Sequence, residues 1–209
     1  GKVEEVEKRT KVKARIVAHA LEELMSECQK VIIIGHTNPD IDAMGAALGI
    51  YRMAVSLKKE TYILTDMESS SIKEFLTNIQ EKYKDVLINK ETALAKIDNE
   101  TLLIVVDTHK ISYVEEPELL NKTNKIVVID HHRRSADFIE QSILTFQEVY
   151  ASSAAELVTE LLQYTQTEVE LETIEAEGLY AGIMMDTKNF TFKTGVRTFE
   201  AAAYLRRCG

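Results

Sequence analysis

Cysteine is scarce in this chain of 209 residues: only Cys28 and Cys208 occur, one inside an expected helix and one near the tail. Two thiols so placed argue against a disulfide framework or a Cys-rich zinc site and fit a reducing compartment. Positive charge is also in the minority, with 25 Lys and Arg against 34 Asp and Glu and a net charge of -9. A surface that tracks long nucleic acid needs a basic face for counterion release, so that class of partner is disfavoured. A small anionic substrate remains open, because a bound cation can reverse the local sign. No apolar run approaches the roughly 18 residues of a spanning helix, and the N-terminus has no signal-peptide apolar stretch. These residues are expected to be soluble.

What is present is ordinary globular composition, 45% hydrophobic and 28% charged, at a length suited to one well-cored α/β domain. The apolar run Val31 to Ile34 reads as a buried strand. Gly35 ends it before a loop carrying His36, Asp40 and Asp42, and a helix rich in small residues follows. Leu102 to Val106 repeats the pattern and runs into Asp107; Ile126 to Ile129 repeats it again and runs into Asp130, His131 and His132. Shorter strands are expected at residues 61–64 and 86–88, with helices over 69–82 and 173–185, a helical turn at 93–97 and a last helix over 197–207. The spacing of Ser153 and Glu156 is that of a capping box, so a helix starts there. Alternating strands and helices with only two prolines imply a doubly wound, mainly parallel sheet flanked by helices. Residues 1–28 are read as a basic, amphipathic linker helix leading into a domain over 29–209. Gly1 and the abrupt tail suggest a piece of a longer protein.

Three buried strands thus run straight into polar groups, where ligands collect in open α/β sheets. Each residue has a plainer reading alone: Asp107 as a helix cap, Asp186 as a turn residue, His131 and His132 as surface or core imidazoles. Their joint placement favours a metal site. Carboxylate oxygens mixed with imidazole suit Mn²⁺ or another first-row divalent ion, and four aspartates would balance two dications. Such a pair can clamp the attacking and leaving oxygens at phosphorus, with a bridging water as nucleophile.

The motifs HTNPDID at 36–42, VVDTHK around Asp107, Asp130-His131-His132 and GIMMDTKNF around Asp186 resemble those of the DHH phosphoesterase superfamily. Their wording is similar to the GdpP-type membrane-bound cyclic-di-AMP phosphodiesterases. The resemblance implies a DHH phosphoesterase domain that opens cyclic di-AMP to linear pApA with Mn²⁺. It implies one metal on His36, Asp40 and Asp107, and a second on Asp42, Asp107, His131 and Asp186. His132 would contact the scissile phosphate as general acid, and Asp130 would orient the neighbouring imidazoles. It further implies upstream membrane, PAS and GGDEF regions and a C-terminal DHHA1 domain, all outside this chain, with the site on the cytoplasmic face of the membrane. DHHA1 would complete the substrate grip, a homodimer being one assembly open to the whole. Arg133 and Arg197 are candidates for substrate or domain-interface contacts; Phe190 and Phe192 are candidates for adenine stacking or core packing. An oligonucleotide or pAp hydrolase on the same site is the nearest alternative, and a non-catalytic nucleotide sensor a more distant one.

Overall fold

The computed structural model describes residues 1–68 and 71–209. The chain runs α1 (Lys2–Glu27), β1 (Lys30–Ile34), α2 (Ile41–Ser56), β2 (Glu60–Leu64), α3 (Lys73–Lys82), β3 (Leu87–Ile88), α4 (Lys90–Lys96) and β4 (Leu102–Val106). Two 3-10 turns, Ile111–Tyr113 and Pro117–Asn121, precede β5 (Lys125–Asp130) and β6 (Leu144–Gln147). Helices α5 (Ala154–Gln163), α6 (Thr173–Asp186) and α7 (Val196–Cys208) follow.

The six strands form one sheet in the order β3-β2-β1-β4-β5-β6, every pairing parallel. Sequence order reverses between β1 and β4, where the cleft beyond the strands' carboxyl ends opens. Val31, Ile33, Ile104 and Val127 face the larger core with α1, α2, α5, α6 and α7. Ile32, Ile34, Leu103 and Val128 face a smaller one closed by Ala93 and the 3-10 turn carrying Leu119 and Leu120. Both faces being covered, the central strands carry unbroken apolar runs instead of alternating ones.

Helix α1 begins ten residues before the apolar stripe does, and its second half, Ala14, Val17, Ala18, Leu21 and Met25, is buried in that larger core. Its first half is solvated. Glu22 anchors the far side by accepting hydrogen bonds from the amides of Gln166 and Thr167 at 2.9 and 2.8 Å.

The expected helix over 69–82 starts later, at Lys73; Ser69 and Ser70 lie outside the described residues. The turn expected at 93–97 is a full short helix, started by the Asn89 side chain accepting from the Thr92 amide. Strand β6 was not anticipated. It is four residues at the sheet edge with only Phe146 buried, too short and too polar for a period to show.

Packing of α2 on α6 is what sets the site. An added Cβ on Gly45 would lie 2.3 Å from the Gly178 carbonyl oxygen, and one on Gly182 would lie 2.9 Å from Asp42 Cα. Only glycine lets these backbones approach so closely, and the approach brings the C-terminal end of α6 against the N-terminal turn of α2.

Candidate metal centre

The ends of β1, β4 and β5 each deliver candidate donors, and the end of α6 adds Asp186. After β1, His36 is pinned by an isolated antiparallel bridge to Val114, and Asp40 caps α2, its Oδ1 accepting from the Ala43 amide at 2.9 Å. Asp42, one residue into α2, is fully buried. Its two oxygens accept from the amides of Ala154 and Ala155 at 3.0 and 2.8 Å, so the carboxylate sits on the positive N-terminus of α5. After β4, Asp107 takes a left-handed backbone, φ 63, held by its amide donating to the Ile129 carbonyl at 2.9 Å. That conformation is costly for most residues and least so for Asn and Asp. It turns the carboxylate across the cleft.

The result is two clusters that meet at one residue. Asp107 Oδ2 lies 3.2 Å from His36 Nε2, which is 3.7 Å from Asp40 Oδ1. Asp107 Oδ1 lies 3.2 Å from His131 Nε2, which is also 3.4 Å from Asp186 Oδ2 and 3.6 Å from Asp42 Oδ2. The donor atoms of His36, Asp40 and Asp107 fall within 4.8 Å of one another, as do those of Asp42, His131 and Asp186.

The electrostatics call for cations. Burial, then the charges of Asp107 and Asp186, push the Asp42 carboxyl well above the usual carboxylate range. Burial likewise raises Asp186, helped by Asp107 and Asp40. Burial works against protonation of His36, yet Asp107 and Asp40 carry that imidazole up to about 11. Asp107 is pushed up by burial, but the imidazoles of His131 and His36 prevail and hold it below the ordinary range. Among the described residues, the buried Asp107 Oδ1 and His131 Nε2 have no hydrogen-bond partner. Buried polar atoms left without partners are costly and rare, and here they converge. The donor set fits a pair of divalent cations.

Asp130 is different in kind. Its Oδ1 accepts from His132 Nδ1 at 2.7 Å and from the His131 amide at 2.8 Å, and its Oδ2 takes His109 Nδ1 at 2.7 Å. This fully buried carboxylate already accepts three N–H donors, although one of its oxygens also falls within 4.8 Å of donor atoms of Asp107, His131 and His132. It orients His132 and His109, whereas the His131 ring takes no hydrogen bond from it. Burial raises Asp130, but those two imidazoles hold it low, while the Asp130 bond raises His132. Gln147, at the end of β6, donates to the His132 carbonyl at 2.7 Å.

A cavity of about 560 Å³ lies over these groups, and Lys110, Tyr113 and Arg133 line it together with the donors. Arg197 is not brought there. Its guanidinium turns inward to an ion pair with Glu160 and lines a separate cavity beside Tyr150 and the first turn of α1. Paired with an acid of α5, Arg197 does not stand among the residues lining the metal cavity, so this structure does not place it on a substrate there; a domain-interface contact would involve a neighbour outside this chain. Phe190 packs on Tyr180 and Phe199, 6.2 and 5.3 Å between centroids, while Phe192 is half exposed under Lys188. Sequence reasoning missed His109, Gln147, Lys110 and Tyr113. The Thr-His-Lys that follows Asp107 was the one signal available for His109 and Lys110.

This fold and donor set define an α/β domain with a cluster of metal-ligating side chains in a cleft at the switch point of its sheet. The chain belongs to the DHH family: the model of the DHH family N-terminal domain matches residues 30–183. The chain is 50% identical over its whole length to the cyclic-di-AMP phosphodiesterase GdpP of Geobacillus thermodenitrificans, and 44% identical to the cyclic-di-AMP phosphodiesterase PdeA of Listeria monocytogenes. It spans 32% of the length of each of these relatives. A bifunctional oligoribonuclease and PAP phosphatase, NrnA of Bacillus subtilis, is 29% identical over 84% of this chain and 52% of its own. An exopolyphosphatase-related protein from Bacteroides fragilis, known from its crystal structure, has the same fold. Its TM-score is 0.74 at 21% identity, covering 90% of this chain and 55% of that one.

Proposed function

We propose that this chain is the catalytic domain of a Mn²⁺-dependent phosphodiesterase that opens cyclic di-AMP to linear pApA. The observation that carries the reading is Asp107, which turns one oxygen to each of two donor clusters. The names of the relatives matched over the whole chain support the substrate. Oxygen and imidazole donors without a thiolate support manganese.

His36, Asp40 and Asp107 would hold one ion, and Asp42, Asp107, His131 and Asp186 the other. When bound, the pair supplies Lewis acidity at phosphorus and a nucleophile from water. The chain's own groups do the rest. His132, its Nδ1 committed to Asp130, keeps Nε2 for the cavity and holds a proton there for the departing ribose oxygen. Arg133, at the rim, meets a phosphate oxygen. In the longer protein a C-terminal domain completes the nucleotide grip, and the site lies on the cytoplasmic face of the membrane.

The test offers cyclic di-AMP and linear pApA, with Mn²⁺, to this chain and to a longer form restoring its C-terminal neighbour. Opening of the cyclic substrate with accumulation of pApA is the expected result. Preference for the linear substrate and progress to AMP would reassign the chain to an oligonucleotide hydrolase, the activity in the name of its NrnA relative.

A further inference from the structure

Tyr113 is half exposed, 53%, on the wall of the metal cavity, where it stands among the candidate metal donors. Its backbone is not free to move. The Tyr113 carbonyl accepts from the Thr37 amide at 2.8 Å, and the Glu115 amide donates to the Gly35 carbonyl at 2.9 Å. Val114 between them is buried and bridged to His36. On the other side the Ser112 amide donates to Asp137 at 3.2 Å. The main chain that carries the ring is therefore held in register with a candidate metal donor, and the ring stands in the cavity wall. Lys110 Nζ stands 4.6 Å from the ring centroid, a cation on one face of the phenol.

We infer that Tyr113, backed by Lys110, is the shelf on which a nucleobase of the substrate stacks, the base taking the ring face opposite the ammonium. The inference rests on the phosphodiesterase reading and adds a base subsite to it. Geometry favours a base over a second phosphate: the group offered is a flat apolar surface, and the positive charge beside it is already engaged with the ring. The cavity, about 560 Å³, is of the size that holds ligands larger than a lone phosphate. Stacking is tolerant of base identity, so the shelf contributes affinity and orients the scissile phosphate over the donors without reading adenine by hydrogen bonds.

The test uses the full-length protein and two substrates: cyclic di-AMP, and the same ribose–phosphate ring with hydrogen in place of each adenine. Tyr113→Ala should raise KM for cyclic di-AMP about 5- to 100-fold with kcat little changed, the range expected for one lost stack. Its KM for the base-free ring should stay at the wild-type value, and Tyr113→Phe should behave as wild type with both. A 2-aminopurine analogue of the dinucleotide should lose fluorescence on binding to the wild type and keep it with Tyr113→Ala. An unchanged KM for cyclic di-AMP in Tyr113→Ala, or equal losses on both substrates, overturns the shelf while leaving the phosphodiesterase standing. A wild-type protein that opens neither ring overturns both.

Discussion

His109 donates from Nδ1 to Asp130 at 2.7 Å, on the opposite oxygen of the carboxylate from the one that holds His132. The direction is set by Ser135, whose amide donates to His109 Nε2 at 3.0 Å and leaves the ring hydrogen on Nδ1. Removing His109 strands one lone pair of a buried acid and loosens the group that orients His132. His109→Ala should lower kcat about 10- to 100-fold, the usual cost of a partner behind the reacting groups, with two metals still bound. Metal analysis beside steady-state kinetics checks it; loss of metal would make His109 part of the ion site instead.

Asp107 serves both clusters, so its charge matters more than its shape. Asp107→Asn keeps a side chain that tolerates the left-handed backbone while removing the charge. Turnover should vanish and bound metal should fall for both ions by elemental analysis. Wild-type turnover in this variant would end the two-metal reading. His132→Ala, in contrast, should retain both metals and slow turnover by about 10²- to 10⁴-fold, the range for a lost general acid.

Gly182 holds α6 against α2. Its substituted Cβ would stand 2.9 Å from Asp42 Cα and 3.0 Å from Ala155 Cβ, and the helices must part to admit it. Gly182→Ala should destabilise the fold by about 1–3 kcal/mol and weaken metal binding, because Asp186 moves away from Asp42. Gly195→Ala, with nothing within 4 Å of its added carbon, is the control. Equal melting temperatures for the two variants would show that the close approach is not needed.

Metal uptake should release protons. With its imidazole carried up to about 11, His36 is charged at neutral pH in stripped protein, and a metal needs it neutral. Apparent affinity should therefore rise with pH through the neutral range. Calorimetric titration of Mn²⁺ in buffers of different ionisation enthalpy reads this directly; heats independent of the buffer would count against it.

Glu22 makes an acid-limb prediction away from the site. Burial raises its carboxyl, but the amides of Thr167 and Gln166 outweigh that and bring it below 4.5. The folded state thus binds fewer protons than the unfolded one. Its stabilising share is present above about pH 4.5 and is lost as pH falls through the depressed value. In Glu22→Gln the decline of stability over that acid range should be shallower, as denaturant midpoints measured at successive pH values would reveal.

Much of this site was legible in advance because its donors stand at strand ends. An apolar run that stops at His36, Asp107 or Asp130 announces both the strand and the polar group beyond it, and parallel strands bring such ends together. What could not be read lies across the cleft. Nothing near Asp42 in the chain tells that its oxygens rest on the amides of Ala154 and Ala155. Arg197 looked like a phosphate contact because it follows Asp186 closely, yet α7 turns it toward Glu160.

Residue order by itself determined five of the six strands, most of the helices, the parallel sheet and the acids and imidazoles that gather in the cleft, because periodicity and capping act over a few residues. Only the tertiary structure decided that β1 lies beside β4, that Asp107 turns across the cleft to face both clusters, that Asp130 serves His109 as well as His132, and that Tyr113 is pinned beside His36. Those relations depend on how separate elements pack, and a local pattern specifies which side of an element is buried, not which neighbour buries it.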